Sequence, residues 1–327
     1  MKTETITSAQ NPKIKNLLLL QEKSKARKEQ GLFVVEGRRE LEHCLEAGYT
    51  VKTIFYCPDI SDTTEFVENY FSQGFAKNQF PTNSRTQQTS PIDSAKNQFP
   101  TNSRTQQTSP IDSSENYFSG RYPKNQFFDE SRALDAEPIV IEIPEQLYRK
   151  VAYRESTEGI IAEVEYKSLK LSDLKLPENP LVMVLESVEK PGNLGAVLRS
   201  ADAAGVDAVI FCDPLTDLYN PNLIRASIGA VFTVPTVAAS SEETIAFLKE
   251  RGIQILTAQL QDSSLYYDID MRRGTALVMG TEATGLTDLW RKAASAHIRI
   301  PMLGRLDSLN VSVSAAILLF EAVRQRQ

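Results

Sequence analysis

Glycines and small polar residues follow three predicted strands in the second half of the chain. The first loop is Pro191-Gly-Asn-Leu-Gly195 and leads to Arg199, the second is Gly280-Thr-Glu-Ala-Thr-Gly285, and the third runs from Pro301 to Asn310. Glycine lets a ligand approach the backbone closely, while amides, hydroxyls and a few charges can orient it. These loops are therefore typical of a site that holds a ligand largely through backbone groups.

Taken one at a time, the same side chains have ordinary structural explanations. Asn193 could cap a helix, Arg199 could be a surface arginine, and Glu282 could be a carboxylate that a helix dipole favours in its first turn. The segment from Ile298 to Gln327 could be a strand and a helix that only close a hydrophobic core. Single residues leave both interpretations open.

Several common classes of site do not fit the sequence. Gly280 and Gly285 lack the G-x-G-x-x-G spacing of dinucleotide-binding folds, and no G-x-x-x-x-G-K-[ST] loop follows a strand. His43 and His297, the two histidines, lie outside metal-ligand and Ser-His-Asp patterns, so we expect no metal. A net charge of −6 argues against nucleic-acid binding through overall charge, but not through a basic patch on one face.

Strands and helices alternate from Leu181 onward. The predicted strands are continuous apolar runs at Leu181–Leu185, Ala208–Cys212, Ile253–Ala258, Ala276–Gly280 and Ile298–Pro301. The predicted helices cover Leu194–Ala204, Asn220–Ile228, Ser240–Arg251 and Val311–Val323. This alternation predicts an α/β fold with a doubly wound parallel sheet, in which ligands bind at the carboxyl ends of the strands. The three polar loops follow such ends.

A smaller α/β domain is predicted in front of this one. Its strands are expected at Leu32–Glu36, Val51–Tyr56, Ile139–Ile143 and Gly159–Val164, and its helices at Arg38–Ala47 and Pro144–Arg149. The polar, proline-bounded stretch that follows this domain is predicted to be a linker. The predicted boundaries are 1–166 for the first domain, 167–179 for the linker and 180–327 for the second domain.

Residues Asn11–Lys28 predict a basic amphipathic helix. Ile14, Leu17 and Leu20 recur at roughly helical spacing, and Glu22 is the only acid in this stretch. The basic residues are Lys13, Lys15, Lys23, Lys25, Arg27 and Lys28. Such a run forms either a solvated helix face or a phosphate-binding surface, and the charge pattern alone does not distinguish the two.

The stretch from about residue 63 to residue 137 has a different composition. AKNQFPTNSRTQQTSPIDS occurs twice without a change, at Ala76–Ser94 and Ala95–Ser113. The repeat is polar and has no hydrophobic face that could stack as in a solenoid. Its composition favours a disordered, low-complexity insertion in the first domain, expanded by duplication.

Length and composition favour an ordinary globular protein. The 327 residues are enough for two domains, and 41% are apolar while 24% are charged. No apolar run has membrane-spanning length, and the N-terminus lacks the apolar region of a signal peptide. The three cysteines, Cys44, Cys57 and Cys212, are scattered, which indicates a reducing compartment. We therefore expect a cytoplasmic protein that does not bind membranes.

Four segments of the second half together resemble a known enzyme family. NLGAVLRSADAAGV (Asn193–Val206), LVMGTEATGL (Leu277–Leu286) and IPMLGRLDSLNVSVSAAI (Ile300–Ile317) resemble the three motifs of the SpoU (TrmH) RNA ribose 2′-O-methyltransferases, in the SPOUT superfamily. NPNLIRASIGAVFTVP (Asn220–Pro235) is also similar to the family pattern. GLFVVEGRRELEHCLEAG and STEGIIAEVE, in the first domain, resemble an L30e-like substrate-binding domain.

The resemblance implies a fold, a cofactor and an assembly. The second domain would contain a deep trefoil knot formed by the last segment, with S-adenosylmethionine bound in the knotted loops. The protein would be a homodimer, which the apolar helix Val311–Val323 suits. The cofactor would be held by backbone at Gly280, Ile300 and Leu309, with Thr257 and Met302 as neighbours. We expect glycine at position 280 because a side chain there would block the adenine edge.

The resemblance also implies catalytic and substrate-orienting residues. They match at Asn193, Arg199, Glu282, Ser308 and Asn310, while Ser200 replaces a usual Thr and Ser314 a usual Ala. The reaction would be in-line attack of a ribose 2′-oxygen on the sulfonium methyl group. The family mechanism makes Arg199 the base, but its high pKa favours a role as hydrogen-bond donor to the developing alkoxide or to a phosphate.

The target of the reaction is less specified by the sequence. An L30e-like domain suits folded RNA, so we predict ribosomal RNA of the 23S type as the substrate, with transfer RNA as the alternative. A non-catalytic RNA-binding protein on the same scaffold is a further alternative, against which the intact motif residues argue. An RNA substrate also favours a phosphate-binding role for this basic helix, with contacts from Lys13, Lys15, Lys23, Lys25, Arg27 and Lys28.

Overall fold

The computed structural model describes residues 2–60, 66–67, 138–153, 158–282 and 284–327. Most of the predicted insertion from residue 63 to residue 137, including both copies of the repeat, lies outside this range. Phe66 and Val67 are described, and both are buried in the hydrophobic core.

The first part of the chain forms a five-stranded mixed sheet. Its strands are β1 (Lys2–Thr5), β2 (Leu32–Glu36), β3 (Val51–Tyr56), β4 (Ile139–Glu142) and β5 (Ile160–Glu165), in the order β1-β4-β3-β5-β2. Its helices are α1 (Pro12–Glu22), α2 (Ser24–Gln30), α3 (Arg38–Glu46) and α4 (Glu145–Val151). The sequence analysis anticipated all of these strands except β1, a short polar strand that pairs in parallel with β4.

The predicted basic helix is two helices, and this corrects the sequence prediction. The chain is extended at Lys23, where α1 ends and α2 begins. The Arg27 side chain turns back beneath the break, and its Nη1 donates to the carbonyl oxygens of Leu20 at 2.7 Å and Gln21 at 3.2 Å. A buried guanidinium thus satisfies carbonyls that the end of α1 leaves without helical partners.

The second part of the chain forms a seven-stranded parallel sheet, as predicted. Its strands are β6 (Leu181–Glu186), β7 (Ala208–Cys212), β8 (Thr236–Ala239), β9 (Gln254–Ala258), β10 (Ser264–Leu265), β11 (Thr275–Met279) and β12 (Ala296–Arg299). The strand order is β10-β12-β9-β11-β6-β7-β8, and every pairing is parallel. The carboxyl ends of all seven strands therefore lie along one side of the sheet, which we call the catalytic edge.

Helices cover both faces of this sheet. They are α5 (Pro191–Ala203), α6 (Pro221–Ser227), α7 (Ala230–Thr233), α8 (Ser241–Glu250), α9 (Asp288–Ala293) and α10 (Val311–Arg326). α5, α6 and α10 share one core with residues of the first sheet, whereas α8 and α9 pack on the opposite face. α5 and α6 pack closely, since a Cβ on Gly195 would lie 2.5 Å from the Cβ of Ala226.

A buried polar contact joins the part of the chain with the five-stranded sheet to the part with the seven-stranded sheet. Arg27 Nε lies 2.7 Å from Asp217 Oδ2, and the side chains are 2% and 7% exposed. Ser24 and Tyr166 donate further hydrogen bonds to the same carboxylate. Phe33 stacks on Tyr219 beside them, with ring centroids 4.1 Å apart. Because Asp217 lies between β7 and α6, these contacts hold α2 next to the catalytic edge.

The described residues contain no helix that is long and apolar enough to cross a membrane. Cys44, Cys57 and Cys212 are free thiols, and all three are buried.

Candidate active site

A cleft of about 620 Å³ opens at the catalytic edge. Its walls come from the segments that follow β9, β11 and β12 and from the first turns of α10. The polar lining includes Gln259, Thr281, Glu282, Ser308 and Asn310, and the apolar lining includes Met279, Leu286, Ile300, Met302 and Leu309. This volume and this mixture suit a small ligand of cofactor size.

Asn193, Glu282 and Asn310 form one hydrogen-bonded cluster beside the cleft. The Asn193 amide donates to Glu282 Oε1 at 2.9 Å, and the Asn310 amide donates to the same oxygen at 3.1 Å. Asn310 also donates to Asn193 Oδ1 at 3.2 Å. The cluster joins the three loops whose residues follow β6, β11 and β12, so these motif residues meet as the parallel sheet predicts.

Lys190 completes this cluster from the other side. Its Nζ lies 2.7 Å from Glu282 Oε2, so both carboxylate oxygens have donors. The Lys190 ammonium group, with help from Asn193 and the Val311 N–H, holds the pKa of Glu282 below its ordinary value. Glu282 is therefore a fixed carboxylate anion that orients neighbouring amides, and it is poorly suited to carry a proton.

Asn310 has a second role at the start of α10. Its Oδ1 accepts from the backbone N–H of Ser312 at 2.9 Å and from the Ser312 hydroxyl at 2.6 Å. Asn310 is thus the N-cap of the helix, and capping fixes the side chain's rotamer. The amide that reaches Glu282 and Asn193 is consequently held by the fold and not free to turn.

Gly280 is required for a reason that differs from the predicted one. A Cβ at this position would lie 2.3 Å from the carbonyl carbon and oxygen of Gly285 and 2.6 Å from the nitrogen of Leu286. The loop turns back against itself here, with a bridge between Thr281 and Gly285. Glycine is therefore needed for the close approach of two backbone segments, a requirement that adds to the predicted one.

The predicted cofactor-binding residues divide into two groups. Gly280, Ile300, Met302 and Leu309 all line the cleft. Thr257 does not: its side chain is fully buried, and its hydroxyl lies 2.6 Å from His297 Nδ1. The Thr257 hydroxyl is thus engaged by His297, and its place as a neighbour of the cofactor stays a prediction.

Ser308 and Arg199 differ in how they relate to the cleft. Ser308 lines it, and its hydroxyl donates to Asp307 at 3.2 Å. Arg199 lies outside the cleft lining, on the exposed surface of α5 two turns beyond Asn193. The structure therefore brings Asn193, Glu282, Ser308 and Asn310 together, and it leaves the Arg199 guanidinium facing solvent.

Two candidate functional residues, Lys190 and Gln259, were not predicted from the sequence. Lys190 precedes Pro191 directly, but nothing in its local pattern reveals a partner 92 residues away. Gln259 lines the cleft just after β9, where the carboxyl end of a strand was the available signal. Its Nε2 donates to the Gln261 carbonyl, whereas its buried Oε1 has no hydrogen-bond partner among the described residues.

The predicted RNA-binding residues are mostly on the surface. Lys15, Lys23, Lys25 and Lys28 are exposed, and Lys13 is half-buried beside Glu4. Arg27 is an exception, because its side chain is buried in the ion pair with Asp217. This placement contradicts the prediction that Arg27 contacts RNA, because the side chain is buried and its Nε and Nη1 donate inside the protein.

Among the described residues, no group of three or more His, Cys, Asp and Glu side chains could hold a metal ion.

Comparison with known proteins agrees with this geometry. Residues 180–320 match the SpoU rRNA Methylase family, and residues 11–92 match the MRM3-like substrate binding domain. The chain is 41% identical over 175 residues to the 23S rRNA (guanosine-2'-O-)-methyltransferase RlmB of Bordetella pertussis. That alignment covers 52% of this chain and 71% of the relative. The chain belongs to the SpoU methylase family.

Two solved structures resemble the chain over nearly its whole length. An RNA 2'-O ribose methyltransferase has a TM-score of 0.68 and 32% identity, covering 99% of each chain. The AdoMet-bound rRNA methyltransferase from Sinorhizobium meliloti has a TM-score of 0.74 and 25% identity, covering 99% of this chain and 98% of that one. Both the first and second sheets thus belong to an arrangement that is also seen in these two methyltransferases.

Proposed function

We propose that this protein is an S-adenosylmethionine-dependent RNA ribose 2′-O-methyltransferase that acts on ribosomal RNA of the 23S type. The observation that carries the proposal is the Asn193–Glu282–Asn310 cluster at the mouth of a cofactor-sized cleft. The relatives' names supply the target: the Bordetella protein is a 23S rRNA methyltransferase, and the Sinorhizobium protein is an AdoMet-bound rRNA methyltransferase.

The residues present fit S-adenosylmethionine. The apolar lining at Met279, Ile300 and Leu309 suits an adenine ring, and the exposed backbone of the three loops can donate and accept hydrogen bonds. The buried Gln259 Oε1 needs a donor, which an amino or hydroxyl group of the cofactor would provide. S-adenosylmethionine, when bound, supplies an electrophilic methyl group.

The protein's contribution is to position the ribose that receives this methyl group. Asn310 is the N-cap of α10, and Asn193 lies on α5. Both side-chain amides donate to Glu282, so they form a preorganised polar edge. Alignment of the reactants is worth roughly 7–11 kcal/mol of the barrier in well-oriented reactions. Ser308, in the same loop as Asn310, would also hydrogen bond the ribose.

Arg199 would act on the RNA and not on the cofactor. Its guanidinium is exposed on α5, and none of the hydrogen bonds and ion pairs found among the described residues involves it. Such a group is available to bind the phosphate next to the target ribose, or to stabilise the 2′-oxygen as its proton leaves. The variant Arg199→Lys tests this role. Near-normal turnover with a lowered pH optimum would count against Arg199 as a hydrogen-bond donor to the phosphate or the 2′-oxygen.

The lysines of α1 and α2 would form the phosphate-binding surface. Lys23 and Lys25 are 64% and 86% exposed, and Asp217 holds α2 next to the catalytic edge through Arg27. Charge reversal at Lys23, Lys25 and Lys28 should weaken RNA binding and reduce its salt dependence. The control is Lys249→Glu on α8, which packs on the sheet face away from the first domain. Equal losses of RNA affinity in the charge-reversal variant and in the control would refute this phosphate-binding surface.

The assembly would be a homodimer in the cytoplasm. Leu303 and Leu306 are 98% and 75% exposed in the loop before α10, and Val313 and Phe320 on α10 are about half exposed. A second copy would cover this apolar surface. Sedimentation of the wild-type protein and of a Phe320→Glu variant tests it: a monomeric wild type would contradict the dimer.

The last segment would also form a trefoil knot, as in the family. The support is the convergence of segments after β9, β11 and β12 on one cleft, with α10 packed against α5 and β11. A chain trace in experimental density that leaves this segment unthreaded would contradict the knot.

Ribosomal RNA from cells with and without the gene provides the test of target. Loss of one 2′-O-methyl group from 23S rRNA is the expected result. An unchanged ribosomal RNA together with a lost methyl group in transfer RNA would overturn the target, and no change in any RNA would favour a non-catalytic RNA-binding protein.

A further inference from the structure

An arginine and a tyrosine from different domains stack at the surface beside α6. The guanidinium carbon of Arg225 lies 5.6 Å from the ring centroid of Tyr153. The Tyr153 hydroxyl accepts from the Asn222 amide at 2.8 Å, which fixes the direction of the ring. Tyr153 is 43% exposed, and Arg225 is exposed as well.

The Arg225 guanidinium has spare hydrogen-bonding capacity. Its one hydrogen bond among the described residues runs from Nη2 to Asn222 Oδ1 and is long, at 3.4 Å. No carboxylate of the described residues forms an ion pair with it. An arginine has five N–H donors, so most of them point to solvent. This differs from Arg27, whose donors are used within the protein.

The pair lies at the catalytic edge. α6 begins where the loop after β7 ends, and β7 is the neighbour of β6, whose own loop carries Lys190 and leads into α5. The two loops touch, since the Thr216 hydroxyl donates to the Glu189 carbonyl. Arg225 is in the second turn of α6, so it stands on the helix next to the one that carries Asn193 and Arg199.

The pair is also continuous with the lysine surface. Gln21, at the end of α1, donates to the Val151 carbonyl two residues before Tyr153. Gln21, Tyr153 and Arg225 line the same small depression between the domains. The Tyr153–Arg225 pair therefore lies beside the end of α1, close to the helices that carry the lysines.

We propose that Tyr153 and Arg225 form a stacking platform for an unpaired nucleotide of the substrate RNA, a few nucleotides from the methylated ribose. The base would stack on the exposed face of the pair, and the free guanidinium donors would bind its phosphate. Exposed aromatic rings beside arginine suit this ligand because every base has a π-face. The proposal rests on the proposed function, since it assumes an RNA substrate.

The test is equilibrium binding of a fluorescently labelled 23S rRNA transcript to the full chain at several salt concentrations. Tyr153→Ala should weaken binding about tenfold at every salt concentration, because stacking is largely independent of salt. Arg225→Ala should weaken it similarly and lower the slope of log affinity against log salt by roughly one phosphate contact. Tyr153→Phe keeps the ring and should retain most of the affinity.

Binding of S-adenosylmethionine to each variant, measured by calorimetry, supplies the structural control. It should stay at the wild-type value, because neither residue lines the cleft. Wild-type affinity for the transcript in both alanine variants would overturn the platform while leaving the proposed function intact. A loss of RNA binding accompanied by loss of cofactor binding would assign the pair a purely structural role, and would overturn it too. Absence of RNA binding by the wild type would instead contradict the proposed function.

Discussion

Asn193 and Asn310 lie 117 residues apart in the chain, and their side-chain amides are 3.2 Å apart in the structure. Both donate to the same oxygen of Glu282. The contact fixes the first turn of α5 against the N-cap of α10, so two motifs that are distant in sequence form one rigid polar edge. A shared carboxylate is the simplest way to hold two amides in a single orientation.

Replacing the shared carboxylate should damage catalysis more than cofactor binding. Glu282→Gln keeps the shape but gives the cluster an NH₂ group that faces the donors of Asn193 or Lys190. We expect kcat to fall by at least about tenfold, which corresponds to about 1.4 kcal/mol of lost transition-state stabilisation. The affinity for S-adenosylmethionine, measured by calorimetry, should change less than about threefold. A normal kcat in this variant would show that the cluster is only structural.

The Lys190–Glu282 pair predicts a particular pH dependence. Lys190 lowers the pKa of Glu282, so the carboxylate's contribution is present above its ordinary pKa of 4.5 and is lost as the pH falls through the lowered value. Removing the ammonium group in Lys190→Met should therefore move the acid limb of the kcat profile upward, toward pH 4.5. The measurement is kcat against pH for the two proteins, and superimposable acid limbs would contradict the role of Lys190.

Gly280 should tolerate no side chain. In Gly280→Ala the new Cβ would lie 2.3 Å from backbone atoms of Gly285, which cannot move aside as a flexible side chain would. We expect a loss of about 1–3 kcal/mol in the free energy of unfolding, as for other overpacked sites, and weaker binding of S-adenosylmethionine. The matched control is Gly304→Ala, where the Cβ would have no neighbour within 4 Å. Urea unfolding of both variants checks the prediction, and equal midpoints would refute it.

Most of the fold was predictable from the sequence because the strands are continuous apolar runs. All five strands predicted in the second half were found within two residues of their expected ends. β8 was missed because Thr236–Ala239 is short and two of its residues are alanines, which favour strands only weakly. β10 has two residues, and its existence depends on pairing with β12, which no local pattern contains.

The site was predictable in part, for a similar reason. Asn193, Glu282 and Asn310 follow strands whose ends must meet in a parallel sheet, and the resemblance assigned them. The fate of Arg27 could not be foreseen, because a basic residue among lysines looks exposed until Asp217, 190 residues away, is placed beside it. Lys190 and Gln259 were missed for the same reason, since their partners or surroundings are distant in sequence.

The buried pair of Arg27 and Asp217 should stabilise the protein and hold the domains together. In Arg27→Met the Asp217 carboxylate would keep the Ser24 and Tyr166 donors but lose its counter-charge. Breaking a buried pair from one side costs roughly 3–5 kcal/mol. Lys25→Met is the control, because its side chain is 86% exposed and its pair with Glu29 is worth less than about 1 kcal/mol. Urea unfolding that shows equal losses for both variants would contradict this assignment.

Transfer of a methyl group to a ribose 2′-oxygen of ribosomal RNA is the activity that we propose. The most direct measurement incubates the purified protein with isotopically labelled S-adenosylmethionine and 23S rRNA from cells lacking the gene, then digests the RNA to nucleosides for mass spectrometry. We predict label in a single 2′-O-methylnucleoside, and none with the Asn310→Ala variant. Label on a base, or no label in RNA that lacks the modification, would contradict the account.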